Sequence, residues 1–109
     1  MRHHAIVVTS FKKDALGLAL DYAASTGAQC SAIVPAKVNG YFSFFIAPDG
    51  SKEDWQHSNE GDNSRARVIE WLESNHSMGW FDWVEIEYGG YGGAAQITNQ
   101  SMMEEQDDA

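Results

Sequence analysis

The N-terminal third of the chain changes from a continuous hydrophobic run to a helical hydrophobic repeat. Residues 5–9 are apolar or β-branched without a charged interruption, which is typical of a strand covered on at least one face. Between Ser10, a candidate helix cap, and Gly27, a candidate helix terminator, apolar side chains recur every three or four positions. The pattern predicts a strand and then an amphipathic helix whose buried stripe consists of Leu16, Ala19, Leu20 and Ala23.

Residues 30–46 carry the extended pattern of two further strands. Asn39-Gly40 lies within this stretch, and both residues tolerate the positive φ that a two-residue hairpin turn demands. Pro35 has no backbone N–H to donate to a central ladder. The pattern predicts a local hairpin whose first strand lies at a sheet edge or is bulged.

The middle of the chain predicts a second helix. Residues 51–54 resemble a capping box that opens a short helical turn around Trp55. A polar stretch, residues 56–63, follows this turn. Apolar positions then recur at helical spacing, so the helix is predicted over about residues 64–75.

Residues 81–88 alternate between apolar and acidic side chains, as a half-buried strand does. The apolar face of this strand consists of Val84, Ile86 and Tyr88. We expect that face to be buried and the opposite face, with Glu85 and Glu87, to meet water. After a glycine-rich turn, residues 94–98 could return as a short edge strand.

The predicted elements follow the order strand, helix, strand, strand, helix, strand. This is the split βαβ pattern of an α+β protein, in which two helices cover one face of an antiparallel sheet. We therefore predict a single ferredoxin-like βαββαβ domain over residues 1–98, with an extra C-terminal edge strand. A flexible acidic tail is predicted over residues 99–109.

The composition is strongly acidic. Among 109 residues, seven Lys and Arg stand against sixteen Asp and Glu, for a formal charge of −9. This charge repels phosphate backbones, which argues against direct nucleic-acid binding, and it suits a basic protein surface. The plainer interpretation is that the charge keeps a small protein in solution.

Cysteine usage and the N-terminus bear on the compartment. Cys30 is the single cysteine, so no internal disulfide can form, and a reducing compartment is expected. The apolar stretch after His4 is too short for a signal-peptide core or a membrane span. Both features predict a cytoplasmic protein that does not bind membranes.

The sequence offers no constellation typical of catalysis or of a metal site. His3 and His4 would point to opposite faces of a strand. His57 and His76 lie in separate polar segments, and no His-Glu-x-x-His pattern occurs. Cys30 begins an apolar strand, where a thiol is more typically a small hydrophobe than a nucleophile. We therefore expect a non-enzymatic protein without a metal or cofactor.

The segment Tyr-Gly-Gly-Tyr-Gly-Gly, residues 88–93, is the most conspicuous motif. Closely spaced glycines let a backbone approach a phosphate, but this segment follows an acidic strand, opens no helix and contains no basic residue. A flexible turn between two strands is the favoured interpretation. The alternative is a small-molecule or nucleotide-binding or sequestering site formed by Tyr88, Tyr91, Arg65 and Arg67.

Acidic residues accompany tryptophans through the second half of the chain. Carboxylates with aromatic anchors can bind a basic protein, and an array of carboxylates can imitate the phosphates of nucleic acid. A solvated acidic face with tryptophans in the core is the alternative. The candidate binding residues are Glu60, Asp62, Glu70, Glu73, Asp82, Glu85, Glu87, Trp55 and Trp83.

Three runs resemble small proteins of unassigned activity that tailed bacteriophages and prophages encode: HHAIVVTS (residues 3–10), VNGYFSFFIAPDGSKEDW (38–55) and WVEIEYG (83–89). The resemblance covers most of the predicted domain and transfers no functional residue. It implies a setting, the host cytoplasm, in which small acidic proteins often act on host factors such as defence systems and nucleic-acid enzymes. From charge and length we predict a protein that binds and modulates a basic surface of a host protein. Open sheet edges would also allow a homodimer.

Overall fold

The computed structural model describes residues 2–50, 56–90 and 92–102. The fold is α+β. Within the described residues the elements are β1 (His3–Ser10), α1 (Lys13–Ser25), β2 (Val34–Pro35), β3 (Phe42–Ile46), α2 (Gln56–Ser74), α3 (His76–Gly79), β4 (Asp82–Tyr88) and β5 (Gln96–Gln100).

The strands form one antiparallel sheet in the order β2-β3-β1-β4-β5. β1 lies at its centre, where Val8 pairs with Phe44 on one side and with Trp83 on the other. β2 is an edge strand, and it contains Pro35 as predicted, because an edge tolerates the missing N–H. The predicted α+β class with an antiparallel sheet is confirmed.

α1 and α2 pack on the same face of the sheet and enclose one core. Its largest fully buried side chains include Ile6, Val8, Phe44, Phe81, Leu16 and Leu72. Burying a side chain of this size contributes roughly 1.5–3 kcal/mol. The predicted stripe of α1 is confirmed at three of its four positions, whereas Leu20 is only partly buried and Ala15 is buried as well.

Residues with positive φ end the elements where the sequence predicts turns. Gly27 follows α1 with a φ of 90°, and its N–H donates to the Ala24 carbonyl at 3.0 Å. Asn39 and Gly40 both have a φ of 69° in the turn before β3. Glycine and asparagine adopt this left-handed conformation at low cost, so composition alone located both turns.

Ser10 joins three elements at one end of the sheet. Its hydroxyl accepts the Lys12 N–H at 3.0 Å and donates to the Gly79 carbonyl at 2.6 Å. It therefore satisfies a backbone donor at the start of α1, as a cap would, and ties that start to α3.

α2 is longer than predicted. It begins at Gln56, so the polar stretch that the sequence analysis leaves outside the helix belongs to it. Ser64 anchors this half of α2 to the end of α1 by donating to the Thr26 carbonyl at 2.7 Å. This hydrogen bond joins α2 to α1 at the residue that follows the polar stretch. The predicted capping box and the turn around Trp55 lie outside the described residues.

β4 presents its faces opposite to the prediction. Trp83 is buried opposite Val8, and Glu85 and Glu87 share its side of the strand, so both carboxylates point towards the helices. The side chains on the other face are Val84, Ile86 and Tyr88. The expectation of a water-facing acidic side is wrong because Phe81 and Trp83, at the start of the strand, bury more apolar surface and decide which face turns inward.

The C-terminal edge extends slightly beyond its predicted end. β5 spans Gln96–Gln100, and Ser101 continues the pairing: its N–H donates to the Trp83 carbonyl at 2.9 Å, and its hydroxyl accepts the Trp83 N–H at 3.2 Å. The folded unit therefore passes the predicted boundary at residue 98. The remainder of the predicted tail, residues 103–109, lies outside the described residues.

Candidate functional site

Arg65 of α2 holds the inward-facing Glu85. Its Nε lies 3.2 Å from Glu85 Oε2, and its Nη2 binds the Asp62 carboxylate one helical turn earlier. The Arg65 and Glu85 side chains are only 10% and 14% exposed. Thr98 of β5 donates its hydroxyl to Glu85 Oε1 at 3.0 Å. Glu85 therefore belongs to a structural ion pair with Arg65 and is not a surface charge.

Arg2 plays the corresponding part for Glu87. Its Nε and His4 Nε2 each lie 3.8 Å from Glu87 Oε2. The two Nη atoms also donate, at 2.9 to 3.3 Å, to the carbonyls of Glu87, Gly89, Gly93 and Ala94. A Cβ on Gly92 would collide with the Arg2 side chain. The glycine-rich segment thus wraps around the chain's own cation, with carbonyl oxygens where a phosphate loop would present N–H groups.

The structure separates the residues of the alternative ligand site. Arg65 and Arg67 both lie on α2, above the helix-covered face of the sheet. Tyr88 points to the other face, where its ring centroid lies 5.3 Å from that of His3. Tyr91 lies outside the described residues. Tyr88 therefore forms no common site with the two arginines.

Three of the predicted binding carboxylates share one side of α2. Asp62, Glu70 and Glu73 are all exposed. Their spacing places them within about 80° of the helix circumference and along about 16 Å of its axis. We call these three residues the acidic stripe. Its N-terminal member, Asp62, is also bound to Arg65.

The other predicted binding residues do not join the acidic stripe. Glu60 is exposed on α2 beside a cleft, and Asp82 is exposed on the opposite face of the sheet. Trp83 is 5% exposed and belongs to the core, so it cannot anchor a partner, and this part of the prediction is corrected. Trp55 lies outside the described residues.

The sheet face away from the helices carries an apolar band that the sequence analysis missed. We call this side the open face, and its side chains include His3, Ala5, Val7, Thr9, Ser43, Phe45, Asp82, Val84, Ile86, Tyr88 and Ile97. Val7 is 39%, Phe45 42% and Ile97 61% exposed. Such patches on a small protein commonly mark an interaction surface. In the sequence, Phe81 and Trp83 alternate in phase with Glu85 and Glu87. This pattern is the signal that could have shown that Val84 and Ile86 face outward.

A cleft of about 660 Å³ lies between the end of α1, the residues after β3 and the N-terminal half of α2. The polar side chains that line it include those of Gln29, Asp49, Glu60, Asn63, Arg65 and Arg67, so its lining carries both acidic and basic groups. This volume is in the range of small-ligand sites. Arg67 is exposed, and no described residue pairs with its guanidinium.

The histidines and the cysteine remain dispersed. His3 and His4 point to opposite faces of β1, as predicted, and His76 lies beside Trp80 with 6.2 Å between ring centroids. In the part of the chain that the structure describes, no three His, Cys, Asp or Glu side chains group as metal ligands. Burial raises the pKa of the Cys30 thiol, which disfavours the nucleophilic thiolate.

Comparison with known proteins gives no relative from which a role could be transferred. No protein-family model matches the chain, and no curated protein matches it either. Among the described helices, none is long and apolar enough to cross a membrane. The case for a function therefore depends on the surfaces described above.

Proposed function

We propose that the protein is a non-enzymatic interaction protein that binds a basic surface of another protein through the acidic stripe. The segregation of charge carries this proposal. Glu85 is paired with Arg65 between the sheet and α2, and Glu87 lies 3.8 Å from Arg2, whereas Glu70 and Glu73 of the acidic stripe are exposed on α2. Outward carboxylates concentrated on the helical layer give that side of the molecule a directional negative field.

The geometry of the acidic stripe suits a row of Lys or Arg side chains. Asp14 and Asp21 are also exposed, but they lie on α1 and do not belong to the acidic stripe. Exposed charges of this kind contribute chiefly to association rate and partner choice, and salt weakens them. The resemblance to phage proteins favours a host protein as the partner, such as a defence or nucleic-acid enzyme, and a cytoplasmic setting.

Affinity capture from bacterial lysate, followed by titration of the captured protein, tests the proposal. We expect the variant Glu70→Gln/Glu73→Gln to weaken binding roughly five- to tenfold, because it removes two exposed charges. Raising the salt concentration from about 0.1 M to about 1 M, which shortens the Debye length from about 10 Å to about 3 Å, should weaken it further.

A matched control separates the acidic stripe from net charge. The variant Asp14→Asn/Asp21→Asn removes the same number of carboxylates from α1, and we expect it to bind nearly as well as the parent chain. Equal losses of affinity for the two variants would show that net charge, and not the acidic stripe, determines binding. Binding that is insensitive to salt would contradict the electrostatic mechanism.

The cleft supports a second candidate function, the binding of a small molecule or nucleotide. Its volume suits a small ligand, and Arg67 supplies a guanidinium for a phosphate group, next to the carboxylates of Asp49 and Glu60. A nucleotide present at about 100 times its dissociation constant should stabilise the fold by about 2.7 kcal/mol and raise the melting temperature. Loss of that shift in Arg67→Ala would assign the ligand to the cleft, and no shift with any nucleotide would count against this candidate.

We also propose that the fold is a ferredoxin-like βαββαβ unit extended by β5. The sheet order β2-β3-β1-β4 and the position of α1 and α2 on one face support this assignment. An experimental structure whose strands pair in another order would overturn it. The fold by itself carries no functional conclusion, because unrelated activities occur on the same scaffold.

A further inference from the structure

We propose that two copies of the chain associate through their open faces, which leaves both acidic stripes exposed on the outside of the dimer. The open face is the side of the sheet that no described helix covers. Its centre is an apolar band in which Val7 lies between Phe45 and Val84, and Ile86 lies beside Ile97.

Charge favours a second copy as the occupant of this band. The chain has a formal charge of −9, yet the open face carries a single described carboxylate, Asp82, at one end. A basic partner would find little attraction there and would be drawn to the helical layer instead. An identical neutral face meets no like-charge repulsion at the contact, so the surface is compatible with itself.

The remaining charges are far enough apart to permit the association. Stacked sheets lie about 10 Å apart, and each helical layer adds about 10 Å, so the acidic stripes of the two copies would be roughly 30 Å apart. This separation exceeds the Debye length of about 8–10 Å at physiological salt. Repulsion between the two acidic surfaces would therefore be screened.

The two copies can be related by a two-fold axis that lies in the interface plane, perpendicular to the strands. This symmetry places opposite ends of the two open faces against each other. This axis reverses the strand direction between the two copies. Asp82 of one copy then lies over the His3 and Tyr88 pair of the other, where a phenol and an imidazole can donate hydrogen bonds to it. The arrangement leaves no carboxylate facing another carboxylate.

The area of the open face determines how strongly the two copies should associate. The five strands contain 27 residues, which at about 3.3 Å per residue and about 4.8 Å between strands cover on the order of 430 Å² per copy, or about 860 Å² in total. This is smaller than most stable interfaces, so we expect a weak, reversible dimer with a dissociation constant of about 100 µM.

Sedimentation velocity of the full chain from about 5 µM to about 500 µM tests the proposal. We expect the parent chain to change from monomer to dimer over this range. Phe45→Lys and Ile97→Lys each place a charge in the apolar band at an exposed position, so both should fold and remain monomeric. Leu18→Lys is the matched control, because it changes an apolar residue that is 52% exposed on α1, and it should dimerise like the parent.

Far-UV circular dichroism of each variant checks that it folds. A parent chain that stays monomeric at the highest concentration would overturn the proposal. So would a dimer that survives both lysine variants, because that result would place the contact away from the apolar band, for example at a sheet edge. Dimerisation that Leu18→Lys abolishes would place the contact on the helical layer and overturn it as well.

Discussion

The two faces of β4 differ in a way that reverses the usual expectation. The face towards the helices carries Trp83, Glu85 and Glu87, whereas the face towards solvent carries Val84 and Ile86. On the inner side, Arg65 and Arg2 supply partners for the carboxylates. On the outer side, apolar residues remain partly exposed. Polarity alone therefore does not decide which face is buried: the largest apolar groups turn inward, and nearby arginines make that orientation tolerable.

Neighbouring residues on β1 also lie on opposite faces, one buried and one exposed. We expect the largest difference between mutations at such a pair. Ile6 is fully buried, whereas Val7 is 39% exposed on the open face. We expect Ile6→Ala to lower the free energy of unfolding by about 2–5 kcal/mol, and Val7→Ala by about 1 kcal/mol or less. Urea denaturation of both variants measures the difference. Similar losses would mean that the open face is covered in solution.

The inner ion pair should give the next largest effect. Arg65→Ala leaves Glu85 with little exposure and no cation, so we expect a loss of about 2–3 kcal/mol in the free energy of unfolding. Arg67→Ala on the exposed side of α2 is the control, with an expected change of less than about 0.5 kcal/mol. Replacing Arg65 and Glu85 together with Met and Leu should restore part of the loss. Equal effects of the two alanine variants would contradict an inner role for Arg65.

Arg2→Ala should loosen the glycine-rich segment and, with it, β5. The guanidinium donates to four carbonyl groups around this segment, so we expect a local loss of about 1–2 kcal/mol. Amide hydrogen exchange should accelerate at the Gln96 and Ile97 end of β5, which pairs with Glu87 and Ile86 beside this segment. Lys37→Ala, on an exposed loop, should leave this exchange rate unchanged. Unchanged exchange in Arg2→Ala would mean that β4 alone holds the edge.

Cys30 should give the smallest effect, a change in reactivity. Because burial raises the pKa of its thiol, less thiolate is present near neutral pH than in the unfolded chain. Alkylation by iodoacetamide should therefore be slower in the folded protein than in urea, and the two rates should converge at high pH. The thiol's contribution to stability is complete below its ordinary pKa and is lost as pH rises through the raised value. Equal alkylation rates at neutral pH would contradict the burial.

The amino-acid sequence determined the features that depend on neighbouring residues. The helical repeat located α1, Gly27 marked its end, and Asn39-Gly40 marked the hairpin turn, because helix and turn chemistry act over a few residues. Pro35 located an edge strand for the same local reason. These features, in their order along the chain, were enough to predict an α+β fold with an antiparallel sheet.

Only the tertiary structure decided which side of β4 turned inward and what the acidic residues became. Alternation defines two faces of a strand, but the partners that cover one of them come from distant parts of the chain. Arg65 is twenty residues from Glu85, and Arg2 is at the other end of the domain from Glu87. Their approach gave two predicted surface charges cationic partners on the inner side of β4 and left an apolar face open. Local composition could not reveal this, because burial and ion pairing depend on the assembled neighbours.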